Sequence, residues 1–278
     1  MKKVFVAVLM LALFAASSSA EVIATLKKCG DETLEPAKEG FIIKPSDAPA
    51  QRMLAKVLDS RVDTSEVILK YYDSLTLMQL ALNKGEIDSI YMPEPVGEKM
   101  LRTNSDYYIR GYYIMKNPIA VAFGFMKEKS ELRDKFSRAI EDMEREGVIG
   151  ILARDFITGP AAQNPPAVEF ENFNDAETIT AAVTGDMPPL DYVAADGKPA
   201  DFNTALLAEI GRRLNVNIKL VNVETGARAV MLKSGRADVV FWFMLFNGYN
   251  AKSEDVPEEI ITSTPYFGWS KGLLIGKK

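Results

Sequence analysis

The sequence contains no histidine and a single cysteine, Cys29. Without imidazole there is no Ser-His-Asp or Cys-His catalysis, no His-ligated zinc and no histidine pH switch. One thiol makes neither an intrachain disulfide nor a Cys-cluster metal site, so no metal and no cofactor are expected. Chemistry is left to carboxylates, lysine and arginine cations, hydroxyls and aromatic rings. General acid–base work needs a carboxyl of shifted pKa, and Asp47, Glu94 and Asp186 are the nominees. No spacing separates them from carboxylates that simply grip a ligand. Arg228 is the most informative charge, in Glu224-Thr-Gly-Ala-Arg-Ala-Val on a helix whose apolar face is Val230, Met231 and Leu232. In a closed cleft a guanidinium holds a carboxylate through two parallel hydrogen bonds; on an open face it is a solvated arginine.

Such groups need a frame. The 278 residues are 47% hydrophobic and 26% charged, a globular balance that allows one large or two modest domains. The net charge of −5, with no basic stripe, argues against a nucleic-acid partner. Lys2 and Lys3 precede an apolar run from Val4 to Ala16 that ends in Ser17-Ser18-Ser19-Ala20. This reads as a secretory signal peptide over residues 1–20, cleaved before Glu21 and too short to span a bilayer. The mature chain is expected to be periplasmic or otherwise extracytoplasmic, and not membrane-spanning. The residue directly after the cleavage site is Glu21 and not a cysteine, so a lipid anchor is not expected.

Apolar strand patterns alternate with helical ones, as in βαβ units around a mostly parallel sheet. Strands are expected at Gly40–Ile43, Val67–Tyr71, Ser89–Met92, Ile119–Phe125, Thr178–Val183, Ile218–Val221 and Val239–Phe246. Helices are expected from Pro49 to about Leu58, over Leu75–Asn83, around Leu132, Phe136, Ile140 and Met143, over Phe202–Leu214 and over Ala227–Leu232. The segment 159–176, rich in Pro and Gly at its start, reads as a linker. Leu82-Asn-Lys-Gly85-Glu-Ile-Asp88 and Leu232-Lys-Ser-Gly235-Arg-Ala-Asp238 echo each other, once in each half. Each is a helix stopped by glycine, then a strand, and the pair points to two similar lobes.

Five motifs fall in order after residue 176: Asp186-Met-Pro-Pro-Leu-Asp-Tyr192, Asp196-Gly-Lys-Pro199, Phe202-Asn-x-x-Leu206, Leu232-x-x-Gly235-x-x-Asp238 and Ser263-Thr-Pro-Tyr266. Together they resemble the family-3 extracytoplasmic solute-binding proteins that serve amino-acid ABC transporters. Tyr72-Asp-Ser-Leu75, Leu82-x-x-Gly85-x-x-Asp88 and Glu94-Pro-Val96 resemble that family's second lobe, and Ile119–Met126 with Glu131–Phe156 resemble the returning strand and closing helices of its first. The resemblance implies an α/β, two-lobed, type II periplasmic-binding-protein-like fold with a ligand cleft between lobes and its segments in circularly permuted order. Residues 21–112 would form the second lobe, 113–158 the hinge strand and closing helices of the first, and 177–278 the main part of the first. Two incomplete domains pairing between chains are the competing account.

On that template the cleft residues are Asp186, Tyr192, Arg228, Trp242, Phe243, Asn247, Asn250, Ser46, Asp47 and Glu94. Asp186 either touches ligand or stabilises its turn; Leu190, Tyr192, Trp242 and Phe243 pack on ligand or in the core. Arg228 stands where acidic-amino-acid members carry a ligand-facing arginine. Two departures set this chain apart: Asn250 stands where the α-carboxylate arginine would fall, and the amine-binding aspartate is missing near Pro93, where Glu94 is the substitute. The implied function is non-catalytic capture of a small polar, carboxylate-bearing metabolite, an amino acid or relative, by a monomer that delivers it to ABC permease subunits. A cyclohexadienyl-dehydratase-like lyase on the same fold and a sensory or partner-docking module are the alternatives.

Overall fold

The β-branched and aromatic runs become strands, and most of them join one sheet. The computed structural model describes residues 21–26, 41–43, 67–72, 74–193, 198–224, 227–246, 251–252 and 257–278. The expected signal peptide, Cys29 and the helix from Pro49 to Leu58 lie outside the described residues. The first half supplies β1 (Glu21–Leu26), β2 (Phe41–Ile43), β3 (Val67–Tyr72), α1 (Leu75–Lys84), β4 (Ser89–Pro93), α2 (Glu94–Thr103) and β5 (Tyr107–Met126). α1 begins where the Ser74 hydroxyl accepts the N–H of Leu77 at 3.2 Å, filling one of the donors that a helix start leaves open. It buries Leu75, Met78, Ala81 and Leu82 and stops at Gly85, whose φ of 72° suits a residue without a side chain.

The second half adds α3 (Ser130–Arg145), α4 (Val148–Ala153), β6 (Thr178–Val183), β7 (Asp186–Met187), β8 (Asp191–Tyr192), α5 (Phe202–Leu214), β9 (Asn217–Asn222) and α6 (Arg228–Lys233). β10 (Val239–Phe246), β11 (Ala251–Lys252), β12 (Ile260–Thr262) and β13 (Phe267–Lys277) complete it. The expected linker carries a 3-10 turn at Pro160–Gln163 and then no helix or strand before β6. The internal echo holds in space: Gly235 ends its helix at φ 67°, and the Asp238 carboxylate accepts the backbone N–H of Thr180 at 2.9 Å, tying the turn to β6.

The sheet runs β2-β3-β1-β4-β13-β5-β10-β6-β9, with β11 on β10 and β12 on β5. β3-β1-β4 and β9-β6-β10 are parallel blocks, and in each the middle strand comes first in the chain. Antiparallel β5 and β13 join them. The predicted strand Ile119–Phe125 is therefore only the end of a 20-residue strand. Its first part pairs with Lys271–Lys277 and its last with Phe267–Trp269. Arg110, Gly111, Asn117 and Pro118 hid this continuity in the sequence. Proline is tolerated there because residues 115–118 have no ladder partner on β13, so a missing N–H costs no hydrogen bond.

Phe123, at the centre of β5, packs its ring 5.4 Å from Phe136, 5.2 Å from Phe241 and 4.6 Å from Tyr266, joining α3, β10 and the final loop. The Ser-Thr-Pro-Tyr motif locks this arrangement: Tyr266 N–H donates to Val121 O, and Thr264 Oγ1 to the Glu141 carboxylate at 2.9 Å. Where β13 crosses from one block to the other, Gly272 lies under Tyr91, and a β-carbon there would stand 2.5 Å from the phenol ring. Gly272→Ala is expected to cost about 1–3 kcal/mol through this overlap. A lowered urea midpoint with an unchanged slope would show it; an unchanged midpoint would mean the ring moves freely aside. Among the described residues, no helix is long and apolar enough to cross a membrane.

Candidate functional site

Strand registers place the site. β4 ends at Pro93 opposite Gly272, and β10 ends beside β5 with Leu245 opposite Ala120. Both carboxyl ends thus reach the zone where β13 leaves residues 119–121 for 107–114 of β5. Carboxyl ends of parallel strands are where open α/β sheets leave a crevice for ligands, because the chain parts there into loops and helix starts. α1, from the first half, packs against β7, from the second, so the two blocks also meet across this end.

On the first-half side, Glu94 opens α2, where the free N–H groups of a first turn favour a carboxylate. Lys271 donates to it at 2.8 Å, and both side chains keep 32% of their surface exposed. The same ammonium lies 5.5 Å from the centre of the Tyr112 ring. The hydrogen bond to Glu94 holds Lys271 above the ordinary lysine range.

On the second-half side the charges are sealed. Asp191 accepts the Thr184 N–H at 2.8 Å, the Thr184 hydroxyl at 2.8 Å and the Gly185 N–H at 2.9 Å. Asp201 caps α5, accepting the Thr204 N–H at 2.8 Å and its hydroxyl at 2.7 Å. Arg228 donates to the Phe241 carbonyl at 3.0 Å from a buried position. Burial pushes the Asp191 carboxyl up, opposed by its Thr184 and Gly185 donors and then by the Arg228 charge. Burial first, and the Asp191 charge second, push Asp201 up to about 8, so it holds its proton at neutral pH. At 1% exposure each, these carboxyls meet no solute; they fix the β6–β8 turn to the head of α5.

Among the predicted residues, Glu94 lies at the crossing, already paired with Lys271. Asp186 lies in β7 directly opposite Tyr192 in β8, and Tyr192 is half-buried. Leu190 is core. Trp242 and Phe243 lie in β10 where its register against β5 shifts, with Phe243 opposite Ala122. Arg228 is neither solvated nor on an open face: its guanidinium donates to a backbone carbonyl of β10, an inner strand of the sheet. Ser46, Asp47, Asn247 and Asn250 lie outside the described residues. Asp191, Asp201 and Lys271 were missed. Asp201 had a signal, since Asp-x-x-Thr ahead of a predicted helix is a capping pattern; Asp191 and Lys271 had none, because burial of the turn back to Thr184 and Gly185 has no sequence pattern and Glu94 lies 177 positions from Lys271.

Residues 179–275 match the bacterial extracellular solute-binding proteins, family 3. No curated protein matches the sequence. The chain is similar to the ligand-binding component of an ABC-type import system from Staphylococcus aureus with zinc bound, at 11% identity over 93% of this chain and 66% of that one, with a TM-score of 0.42. It is similar to the binding protein AgaA of A. tumefaciens R10 in complex with agropinic acid, at 11% identity over 78% and 56% of the two chains and a TM-score of 0.39. The GluR0 ligand-binding core in complex with L-glutamate is similar at 11% identity over 94% and 86%, with a TM-score of 0.40. The chain spans just under two thirds and just over half the length of the first two.

Proposed function

We propose, for a chain whose residues 179–275 match the bacterial extracellular solute-binding proteins, family 3, that it captures a small carboxylate-bearing solute outside the cytoplasm and hands it to an ABC permease. The observation that carries this reading is the meeting of the β4 and β10 carboxyl ends at the β5–β13 crossing, with the exposed Glu94–Lys271 pair between them. Solute enters there, and rotation of the two blocks about β5 and β13 closes over it. The segments are a circular permutation within one molecule. Its support is the equal order of the parallel blocks and a linker that docks on its own chain, with Val168 N–H donating to Pro199 O. Lobe limits follow the sequence reading, except that β5 and β13 belong to both lobes. Asp186, Tyr192, Trp242, Phe243, Ser46, Asp47, Asn247 and Asn250 remain, from the sequence reading, the further ligand contacts we propose beside Glu94. Non-catalytic capture is the reading we favour, since among the described residues the carboxyls of raised pKa, Asp191 and Asp201, are sealed from solute.

A thermal-shift screen of amino acids, dicarboxylates and polyamines on the mature chain tests this. A solute at 100 times its Kd adds about 2.7 kcal/mol, or roughly 5–10 °C for a chain of this size. Silence across the whole panel defeats the proposal, and conversion of a bound solute to product replaces it with the enzymatic alternative.

A further inference from the structure

The Glu94–Lys271 pair stands at the mouth of the crossing with hydrogen-bonding capacity in reserve. Lys271 follows the bulge in the β5–β13 ladder, opposite Ile114 and one residue before Gly272, which faces the end of β4. Among the described residues, Glu94 is the one hydrogen-bond acceptor of its ammonium, and Lys271 the one polar partner of the Glu94 side chain. An ammonium has three N–H donors, so two remain for a solute. The nearby charges of α2 are engaged elsewhere: Glu98 pairs with Arg102 at 3.5 Å, and Lys99 donates to the carbonyls of Ala162 and Gln163 at 3.1 Å.

We propose that Lys271 is a solute-binding residue which, by occupying Glu94, makes the crossing select carboxylates that carry no ammonium group. This rests on the solute-capture reading and names the solute class. Two effects act in the same direction. A carboxylate adds to Lys271 as a charge-assisted acceptor without displacing anything. A solute ammonium at Glu94 meets a carboxylate whose charge Lys271 already neutralises, and it is repelled by the Lys271 ammonium 2.8 Å from that carboxylate. A zwitterion gains one contact and loses against the other. Being a third exposed, the pair contributes little to folding, so either side chain can be changed in a folded protein. Lys271→Met keeps the apolar stem across the Tyr112 ring while removing the charge.

The test uses the mature chain, its Lys271→Met and Glu94→Gln variants, and three probes read by titration calorimetry: succinate, glutamate and putrescine. Wild type is expected to bind succinate most tightly. Lys271→Met should lose roughly tenfold or more in succinate affinity, the scale of one charged hydrogen bond, and gain in putrescine affinity as Glu94 is released. Glu94→Gln should bind succinate at least as tightly as wild type. Equal succinate affinity in wild type and Lys271→Met overturns the inference, as does a wild type that prefers glutamate, and both leave solute capture standing; a preference for putrescine overturns the carboxylate class as well. A wild type that binds none of the three overturns the inference, and the wider thermal-shift panel then decides whether solute capture falls with it.

Discussion

Arg228→Ala is expected to lower the stability of the unliganded protein by about 3 kcal/mol, or roughly 6–12 °C in melting temperature. The guanidinium is 5% exposed and donates to the Phe241 carbonyl inside β10. Alanine leaves that carbonyl buried without its donor and removes the positive charge that opposes burial at Asp191. An orphaned buried group loses its full desolvation free energy, whereas a solvated arginine would lose almost nothing. The loss should be larger at pH 8 than at pH 4, because protonated carboxyls need no counter-charge. Arg228→Lys should recover part of it through the charge alone. Urea melts of both variants at the two pH values decide the point. An unchanged midpoint for Arg228→Ala would show the residue free of a structural role and return it to the list of ligand contacts.

Asp201→Asn is expected to stabilise the protein at pH 8 and leave it nearly unchanged at pH 4. The folded carboxyl titrates near 8 and the unfolded one near 3.8, so between those values the folded state holds a proton that the unfolded state has released. Stability from this group is complete below about pH 4 and falls as pH rises to about 8, by an amount on the order of 2–4 kcal/mol. Asparagine is as good a helix cap as aspartate and carries no charge to desolvate. The variant should keep the Thr204 contacts while flattening the pH profile. Asp191 shares the titration, so the observed midpoint belongs to the pair. Midpoints measured at pH 4, 6 and 8 for wild type and variant give the answer; a wild-type profile that does not fall over this range contradicts the assignment. Arg228 and Asp201 act through one cluster, and their effects in a double variant should not add.

The legible parts of the fold were local. Helical spacing located α5 from Phe202 to Leu214, and an unbroken apolar run located β10 from Val239 to Phe246, each to the residue. Glycines at positive φ placed the ends of the two echoing helices at Gly85 and Gly235. α2 escaped notice because Glu94-Pro95 reads as a turn, yet proline fits the first turn of a helix, where no N–H is needed. The length of β5 escaped notice because Arg110, Gly111 and Pro118 break the apolar pattern. Only β13, supplied from the far end of the chain, holds those residues in extended form.

The candidate site divides in the same way. The types present in the chain, with no histidine and one cysteine, already confined function to carboxylates, cations, hydroxyls and aromatic rings. The motifs after residue 176 already pointed to the family that residues 179–275 match. Whether a given charge faces solute or protein was decided only when strands from both ends of the chain paired. Glu94 and Lys271 are separated by 177 positions in sequence, yet they meet because β4 and β13 are neighbours in the sheet. Arg228 and Asp191 were buried by elements whose approach no local pattern encodes. Spacing along a chain carries propensity and periodicity, which are short-range; desolvation and charge pairing depend on what lies within a few ångströms in space, and that is a property of the assembled sheet.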